Sequence, residues 1–248
     1  MRGLRIGLAQ MNSTVGDLSK NTERIKQFMV QAKDAHVDLL ALPELAVTGY
    51  PPEDLLFKRQ FLQDTDSYLQ EIIKSTGDLA VVVGVSELSG TQTINPGVVS
   101  LPDDETAALY NAAVVAHGNK LVGVHRKIFL PNYGVFDENR YFSRGKECPV
   151  FELHGITFGV NICEDIWYGI GPSIVQRLAG AGLIININGS PYHRGRGVLR
   201  QEMLSKRAKE NGVYIAYVNM VGGQDELVFD GQSIVINPSG KVIARSAQ

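Results

Sequence analysis

Short runs of apolar residues alternate along the chain with segments in which apolar residues recur at helical spacing. The continuous runs predict buried strands at 4–10, 39–45, 80–87, 111–116, 120–127, 151–153, 156–163, 183–188 and 213–219. Asp17 can cap a helix that follows it, and the helical spacing predicts helices at 18–32, 53–74, 172–181 and 198–211. Turn residues at 117–119, 154–155 and 237–240 predict hairpins between neighbouring strands.

The order of these elements is βαβ, then hairpins, then βαβ again. This order favours an α/β fold of mixed sheets with helices packed on the outside. No linker, repeat or low-complexity tract interrupts the pattern, so we expect one domain over residues 1–248. The last predicted strand, 241–245, runs to the end of the sequence without a cap, which is compatible with a fragment of a longer protein.

The composition argues against several classes of protein. Hydrophobic residues make up 44% and charged residues 20% of the 248 residues, so the chain is expected to fold rather than remain disordered. The 24 basic and 26 acidic residues nearly balance, which argues against nucleic acid or a membrane surface as a partner. No apolar run is long enough to predict a transmembrane helix.

The cysteines and histidines indicate neither a disulfide framework nor a metal site. Cys148 and Cys163 form no CxxC pair, and the five histidines show no metal-binding spacing. Two free thiols are typical of a reducing compartment, so we expect a cytoplasmic protein.

Three residues with reactive side chains each close a predicted strand: Glu44, Lys127 and Cys163. Taken singly, the two charged residues could be solvated strand ends, and the cysteine could be a buried apolar filler. If the three strands end at one edge, an acid, a cation and a thiol meet there. Cleavage of an amide by a thiol requires such a set, namely a base, a nucleophile and a donor for the oxyanion.

Longer motifs surround these residues: LPELAVTGYPPEDLL (42–56), HRKIFLPNYGVFDENRYF (125–142), NICEDIW (161–167), NGSPYHRGR (188–196) and VGGQDELVFDGQS (221–233). On these motifs, which span nearly the whole chain, the sequence resembles the nitrilase, or carbon–nitrogen hydrolase, superfamily. Within it, the resemblance is closest to the branch of glutaminase domains found in glutamine-dependent NAD synthetases. The resemblance implies a four-layer αββα sandwich.

The resemblance also implies a mechanism. Glu44 would be the general base that takes the proton of Cys163, and Cys163 would attack the side-chain amide of glutamine. Lys127 and the backbone N–H after the cysteine would hold the oxyanion. Ammonia would leave first, and water activated by Glu44 would then release glutamate from the thioester.

Five further residues are assigned to the substrate site by the same resemblance. Tyr133, Ser190 and Arg196 would line the glutamine pocket, and Arg196 stands where many relatives carry lysine. Glu138 would support the lysine and the cysteine, and Tyr50 would line the same pocket.

Two of these five have an ordinary structural alternative. Glu138 could be a loop acid paired with Arg140 or Arg144, and Tyr50 could simply pack at a turn.

Cofactor and partner expectations follow from the same branch. The glutaminase domain itself would need no cofactor, whereas ATP and Mg²⁺ would serve only a C-terminal synthetase domain that is absent from this chain. The expected partners are glutamine, an ammonia-accepting synthetase domain and further copies of the chain in a homo-oligomer.

The residues leave other interpretations open. Residues 221–225 imitate the glycine-rich phosphate loop of ATP pyrophosphatases, but Val221 and the acidic Glu226 make phosphate binding there unfavourable. A stand-alone amidase for another small ω-amide, a catalytically silent interaction module and a redox-sensing thiol protein are the alternative functions.

Overall fold

The computed structural model describes residues 3–89 and 108–248. Its first sheet has five strands in sequential order: β1 (Ile6–Leu8), β2 (Leu39–Ala41), β3 (Ala80–Leu88), β4 (Leu109–His117) and β5 (Lys120–Arg126). Strands β1, β2 and β3 are parallel, whereas β4 is antiparallel to both β3 and β5. Strands β2 and β5 therefore run in the same direction and end at the same edge. Two helices follow strands of this sheet: α1 (Leu18–Asp34) and α2 (Arg59–Lys74).

The second half of the chain forms another sheet and a separate hairpin. In chain order its strands are β6 (Val150–Leu153), β7 (Ile156–Ile162), β8 (Leu183–Asn188), β9 (Tyr214–Asn219), the hairpin strands β10 (Val221–Gln224) and β11 (Leu227–Asp230), β12 (Ile234–Ile236) and β13 (Val242–Arg245). The six-stranded sheet has the order β13-β12-β9-β8-β7-β6, with β7, β8 and β9 parallel. Its helices are α3 (Pro172–Leu178) and α4 (Arg196–Asn211).

Side chains on the two faces of each sheet enter different hydrophobic clusters. In β3, Val81 and Val83 pack with the apolar faces of α1 and α2, whereas Ala80 and Val82 pack against the other sheet. In β8, Ile185 faces the first sheet and Ile184 faces α4. This alternation follows from the two-residue period of a strand. The layers are therefore helix, sheet, sheet and helix, and the expected αββα sandwich is confirmed.

Most predicted elements are present, with shifts at their ends. Asp17 caps α1, because its side chain accepts a hydrogen bond from the backbone N–H of Lys20 at 3.2 Å. The predicted helix over 53–74 is instead a 3₁₀ helix (Glu53–Phe57) followed by α2, because Lys58 has an extended backbone. The hairpin of β10 and β11 was not predicted, since two glycines give residues 221–224 little strand propensity.

The loops after β2, β5 and β7 carry the three residues with reactive side chains. Lys127 and Cys163 directly follow β5 and β7, and Glu44 lies three residues beyond β2. Close approach of the Glu44 loop to β3 requires glycine at position 84, where a Cβ atom would overlap the backbone of Leu45 and Pro43. None of the helices within residues 3–89 and 108–248 combines the length and apolar character needed to cross a bilayer.

Candidate active site

The ammonium group of Lys127 is the centre of a buried charge cluster. Its Nζ donates to Oε1 of Glu44 and to Oε1 of Glu138, both at 2.7 Å. The backbone on either side is fixed to neighbouring segments, because the Lys127 N–H donates to the carbonyl of Asn111 and its own carbonyl accepts from Gly145, both at 2.8 Å. Burial would lower the pKa of Lys127, but Glu138 and Glu44 outweigh burial and raise that pKa well above its ordinary value. The two acids therefore favour the charged form of the lysine.

The carboxylate of Glu44 has partners from both halves of the molecule. Oε1 accepts from Lys127 and from Nδ2 of Asn111, each at 2.7 Å. Oε2 accepts from the backbone N–H of Gly189, just beyond β8, at 2.8 Å. Only 1% of Glu44 is exposed, so these hydrogen bonds replace the water that an ionised carboxylate would otherwise require. They fix both oxygens in position.

Glu138 and Tyr50 complete the cluster. The Tyr50 hydroxyl donates to Oε1 of Glu138 at 3.3 Å, and Nδ2 of Asn111 lies 3.4 Å from the other oxygen. The pKa of Glu138 is raised to about 7, because burial and the charge of Glu44 raise it by more than Lys127 lowers it. Tyr50 is itself buried, with its ring against the backbone of Gly189. Both residues thus belong to the site.

One of the two arginines suggested as partners of Glu138 contacts a different acid. Arg140 donates to Oδ1 of Asp54 at 2.9 Å on the exposed surface. The cation that contacts Glu138 is Lys127.

Cys163 lies at a sharp turn between β7 and a short 3₁₀ helix (Cys163–Ile166). Its φ angle is +42°, in the left-handed region that a residue with a Cβ rarely adopts and that is often found at functional positions. Burial raises the pKa of the Cys163 thiol well above its ordinary value, Glu44 raises it further, and Lys127 acts in the opposite direction. The thiol therefore shares its electrostatic environment with the Glu44–Lys127 pair, and it stays protonated until a base assists.

A second group of charged and aromatic side chains lies near Cys163, and we call it the rim: Tyr133, Glu164, Trp167, Tyr168 and Arg196. The Tyr133 hydroxyl donates to Oε2 of Glu164 at 2.9 Å, and Tyr168 lies 3.4 Å from the other oxygen. The guanidinium of Arg196 stacks over the ring of Trp167, 4.4 Å from its centroid. Burial and the bond to Glu164 raise the pKa of Tyr133, whereas the nearby charge of Arg196 lowers it. A cation and a carboxylate therefore lie on the same rim.

Ser190 is a buried residue. Its N–H donates to Oδ1 of Asn219 at 2.9 Å, and its hydroxyl accepts from Nη2 of Arg200 at 3.3 Å. Arg200 also pairs with Oδ1 of Asp230 at 3.3 Å and lies over the ring of Tyr217, 5.4 Å from the centroid. The serine hydroxyl is thus held by a buried arginine that itself bridges α4 and β11.

The sequence analysis did not single out several residues of this site: Asn111, Glu164, Gly189 and Arg200. Arg200 resembles any charged residue of an amphipathic helix, so its burial gives no signal in the sequence. Glu164 is adjacent to the cysteine, and that position is the one signal that could have identified it.

Within the residues that the structure describes, no group of three or more histidine, cysteine or acidic side chains could hold a metal ion. The glycines at 222 and 223 lie in β10, paired with β11, rather than in a loop ahead of a helix.

Comparisons with known proteins agree with this geometry. Residues 5–248 match the model of the family described as carbon–nitrogen hydrolase. The chain is 47% identical over 244 residues to a glutamine-dependent NAD(+) synthetase of Thermotoga maritima, covering 98% of the chain and 40% of that protein. It is 44% identical over 244 residues to the protein of the same name from Aquifex aeolicus, again covering 98% of the chain and 40% of the relative.

A solved structure shows the same relation. The glutamine-dependent NAD+ synthetase from Acinetobacter baumannii, in complex with ADP, superposes with a TM-score of 0.86 at 36% identity, over 98% of this chain and 43% of that one. The chain thus spans about two fifths of the length of the relatives it matches.

Proposed function

The chain belongs to the carbon–nitrogen hydrolase family, and on that premise we propose that it hydrolyses the side-chain amide of glutamine to glutamate and ammonia. The observation that supports this most directly is the buried contact of Lys127 with Glu44 and Glu138, in the electrostatic environment of Cys163. A base, a cation and a thiol are the components that amide cleavage by a cysteine requires.

In the acylation step, Glu44 takes the thiol proton as the sulfur of Cys163 attacks the amide carbon. The raised thiol pKa means that proton removal and attack must be coupled, because little free thiolate exists beforehand. The carbonyl oxygen becomes an oxyanion, which Lys127 and the backbone N–H of Glu164 stabilise. Glu164 lies in the first turn of a short helix, where N–H groups have no partner within the helix.

Glu44 then gives up the proton that it took, and ammonia and glutamate are released in turn. The proton held by Glu44 passes to the departing nitrogen, the C–N bond breaks, and ammonia leaves a thioester on Cys163. A water molecule then gives a proton to Glu44 and attacks the thioester carbon. The C–S bond breaks, glutamate leaves, and the proton returns to the sulfur.

The rim suits an amino acid rather than a neutral amide. Arg196 can pair with an α-carboxylate, and its planar guanidinium can do so through two parallel hydrogen bonds. Glu164 carries the opposite charge on the same rim, where it can accept from an α-ammonium group. Tyr133 and Ser190 each add a hydroxyl to the proposed glutamine site.

We further infer that the ammonia serves a synthetase domain, because the relatives named above are more than twice as long as this chain. In that arrangement, ATP and Mg²⁺ would be needed only by the synthetase domain, for amidation of deamido-NAD. Assembly into a homo-oligomer and a cytoplasmic location remain predictions from the sequence.

The test is a comparison of substrates on the purified chain. We expect release of glutamate and ammonia from glutamine, and labelling of Cys163 by a glutamine-like electrophile. A Cys163→Ala variant should show neither. Faster turnover of a neutral ω-amide than of glutamine would favour the stand-alone amidase, and oxidation of Cys163 without any amide turnover would favour the redox alternative.

A further inference from the structure

Asp165 is a completely buried carboxylate with four partners. Its Oδ1 accepts from the backbone N–H groups of Ile128 and Phe129, at 3.1 and 2.9 Å. Its Oδ2 accepts from the backbone N–H of Ile162 at 3.1 Å and lies 3.0 Å from Nε2 of His125. None of these groups has a part in the reaction proposed above.

These partners flank the two key residues of the site on different sheets. His125 and Ile128 lie on either side of Lys127, at the end of β5 in the first sheet. Ile162 directly precedes Cys163, at the end of β7 in the second sheet. One carboxylate therefore connects the segment that carries the cation to the turn that carries the thiol.

Such a connection constrains the distance between the two segments as well as stabilising the fold. Hydrogen bonds from N–H groups to a buried carboxylate are strengthened because the local dielectric constant is low. A displacement of about 1 Å between reacting groups can reduce a rate about 100-fold. A carboxylate that joins the Lys127 segment to the Cys163 turn therefore bears on how far apart the ammonium and the sulfur lie.

We propose that Asp165, oriented by His125, is a positioning residue that fixes Lys127 and Cys163 relative to each other. The proposal depends on the proposed function only in the experiments that measure glutamine turnover. It goes beyond that function because it assigns a role in catalysis to a residue that touches neither substrate nor reacting atoms.

The main test is Asp165→Asn, which keeps the shape but turns one oxygen into an N–H donor. The amide can still accept from Ile128 and Phe129, but its nitrogen then faces the N–H of Ile162. We expect kcat for glutamine to fall about 100-fold while KM changes less than about threefold. The rate at which iodoacetamide alkylates Cys163 should fall as well, because base assistance depends on the same placement.

Alkylation is followed on the Cys163 peptide by mass spectrometry, since Cys148 is also a free thiol. The matched control is Ser173→Ala. This change removes the buried hydroxyl that accepts a hydrogen bond at 2.9 Å from Nδ2 of Asn161, a residue of β7, and it leaves Asp165 untouched. This control should lower Tm without changing kcat or the alkylation rate. Wild-type kcat and alkylation in folded Asp165→Asn would overturn the proposal.

If Asp165→Asn does not fold, the proposal is tested instead with two variants at His125. His125→Gln keeps an N–H donor toward Asp165, whereas His125→Leu removes it. A kcat at least about fivefold lower in the leucine variant than in the glutamine variant, at similar KM, would support the proposal, and equal rates would overturn it. Should the wild type not hydrolyse glutamine, the proposed function fails, but the alkylation rates still test the role of Asp165.

Discussion

Glu44, Lys127 and Glu138 are nearly completely buried, and Lys127 pairs with both acids, whereas Tyr133 on the rim is 53% exposed. The buried centre has its charges fixed before any ligand arrives. On the rim, the guanidinium of Arg196 stacks on an aromatic ring, and the carboxylate of Glu164 accepts hydrogen bonds from tyrosine hydroxyls. Such contacts are readily exchanged for contacts with a ligand.

We interpret this difference as a division of roles, in which the buried centre carries out the chemistry and the rim recognises the substrate. A preorganised cluster needs little rearrangement during the reaction, which is the main advantage of electrostatic catalysis in a buried site. An exposed rim side chain such as Tyr133 loses less when its partners change, because water can replace them. Variants in the centre should therefore reduce kcat or stability, and variants on the rim should mainly raise KM.

The largest effect is expected for Glu44→Gln. The amide has one acceptor oxygen, so it can keep the hydrogen bond to Lys127 but turns its nitrogen toward the N–H of Gly189, and it cannot accept the thiol proton. Removal of a general base typically reduces turnover by about 10²–10⁴-fold, and we expect an effect in that range. Single-turnover release of ammonia measures the effect, and a wild-type rate would refute the base assignment.

Lys127→Ala should reduce both turnover and stability. Without the ammonium, the carboxylates of Glu44 and Glu138 would face each other in a dry site, which typically costs about 3–5 kcal/mol. Urea unfolding measures the loss. Arg140→Ala is the matched control, because its exposed pair with Asp54 should contribute less than about 1 kcal/mol. Equal losses in the two variants would contradict the contrast between buried and exposed charges.

Glu138→Gln should change how stability depends on pH. The pKa of Glu138 is raised from 4.5 to about 7, so the folded state binds the extra proton more tightly than the unfolded state does. The stability from this proton is fully present below about pH 4.5 and is lost as the pH rises through about 7, by at most about 1.4 kcal/mol per pH unit. The glutamine variant should lack this loss.

Thermal melts at about pH 5 and about pH 8 measure this difference. Relative to the wild type, the glutamine variant should be more stable at the higher pH than at the lower one. A constant difference between the two proteins would show that Glu138 titrates normally.

On the rim, Arg196→Gln should raise KM for glutamine about 10–100-fold and change kcat less than about threefold. The reason is the loss of one charged hydrogen-bonding partner for the α-carboxylate. Arg196→Lys should recover part of the affinity, since it retains the charge but not the planar fork. A small amide without an α-carboxylate serves as the control substrate, and its KM should be the same in all three proteins.

The local pattern of the sequence determined many of the elements. The apolar run 183–188 predicts a buried strand, and β8 (Leu183–Asn188) has the same bounds, because six consecutive buried residues leave few alternatives. The positions of Lys127 and Cys163 at the ends of strands were likewise visible in the sequence. The hairpin of β10 and β11 was not, because its glycines give no strand signal.

What only the tertiary structure decided is which distant groups meet. The Glu44 carboxylate accepts from Gly189, 145 positions away, and Asp165 connects to residues 36 to 40 positions before it. Hydrogen bonds of this kind depend on how two sheets pack, and packing is a property of the whole core rather than of any local segment. The raised pKa values of Glu138 and Cys163 follow from the same packing, since burial is their largest cause.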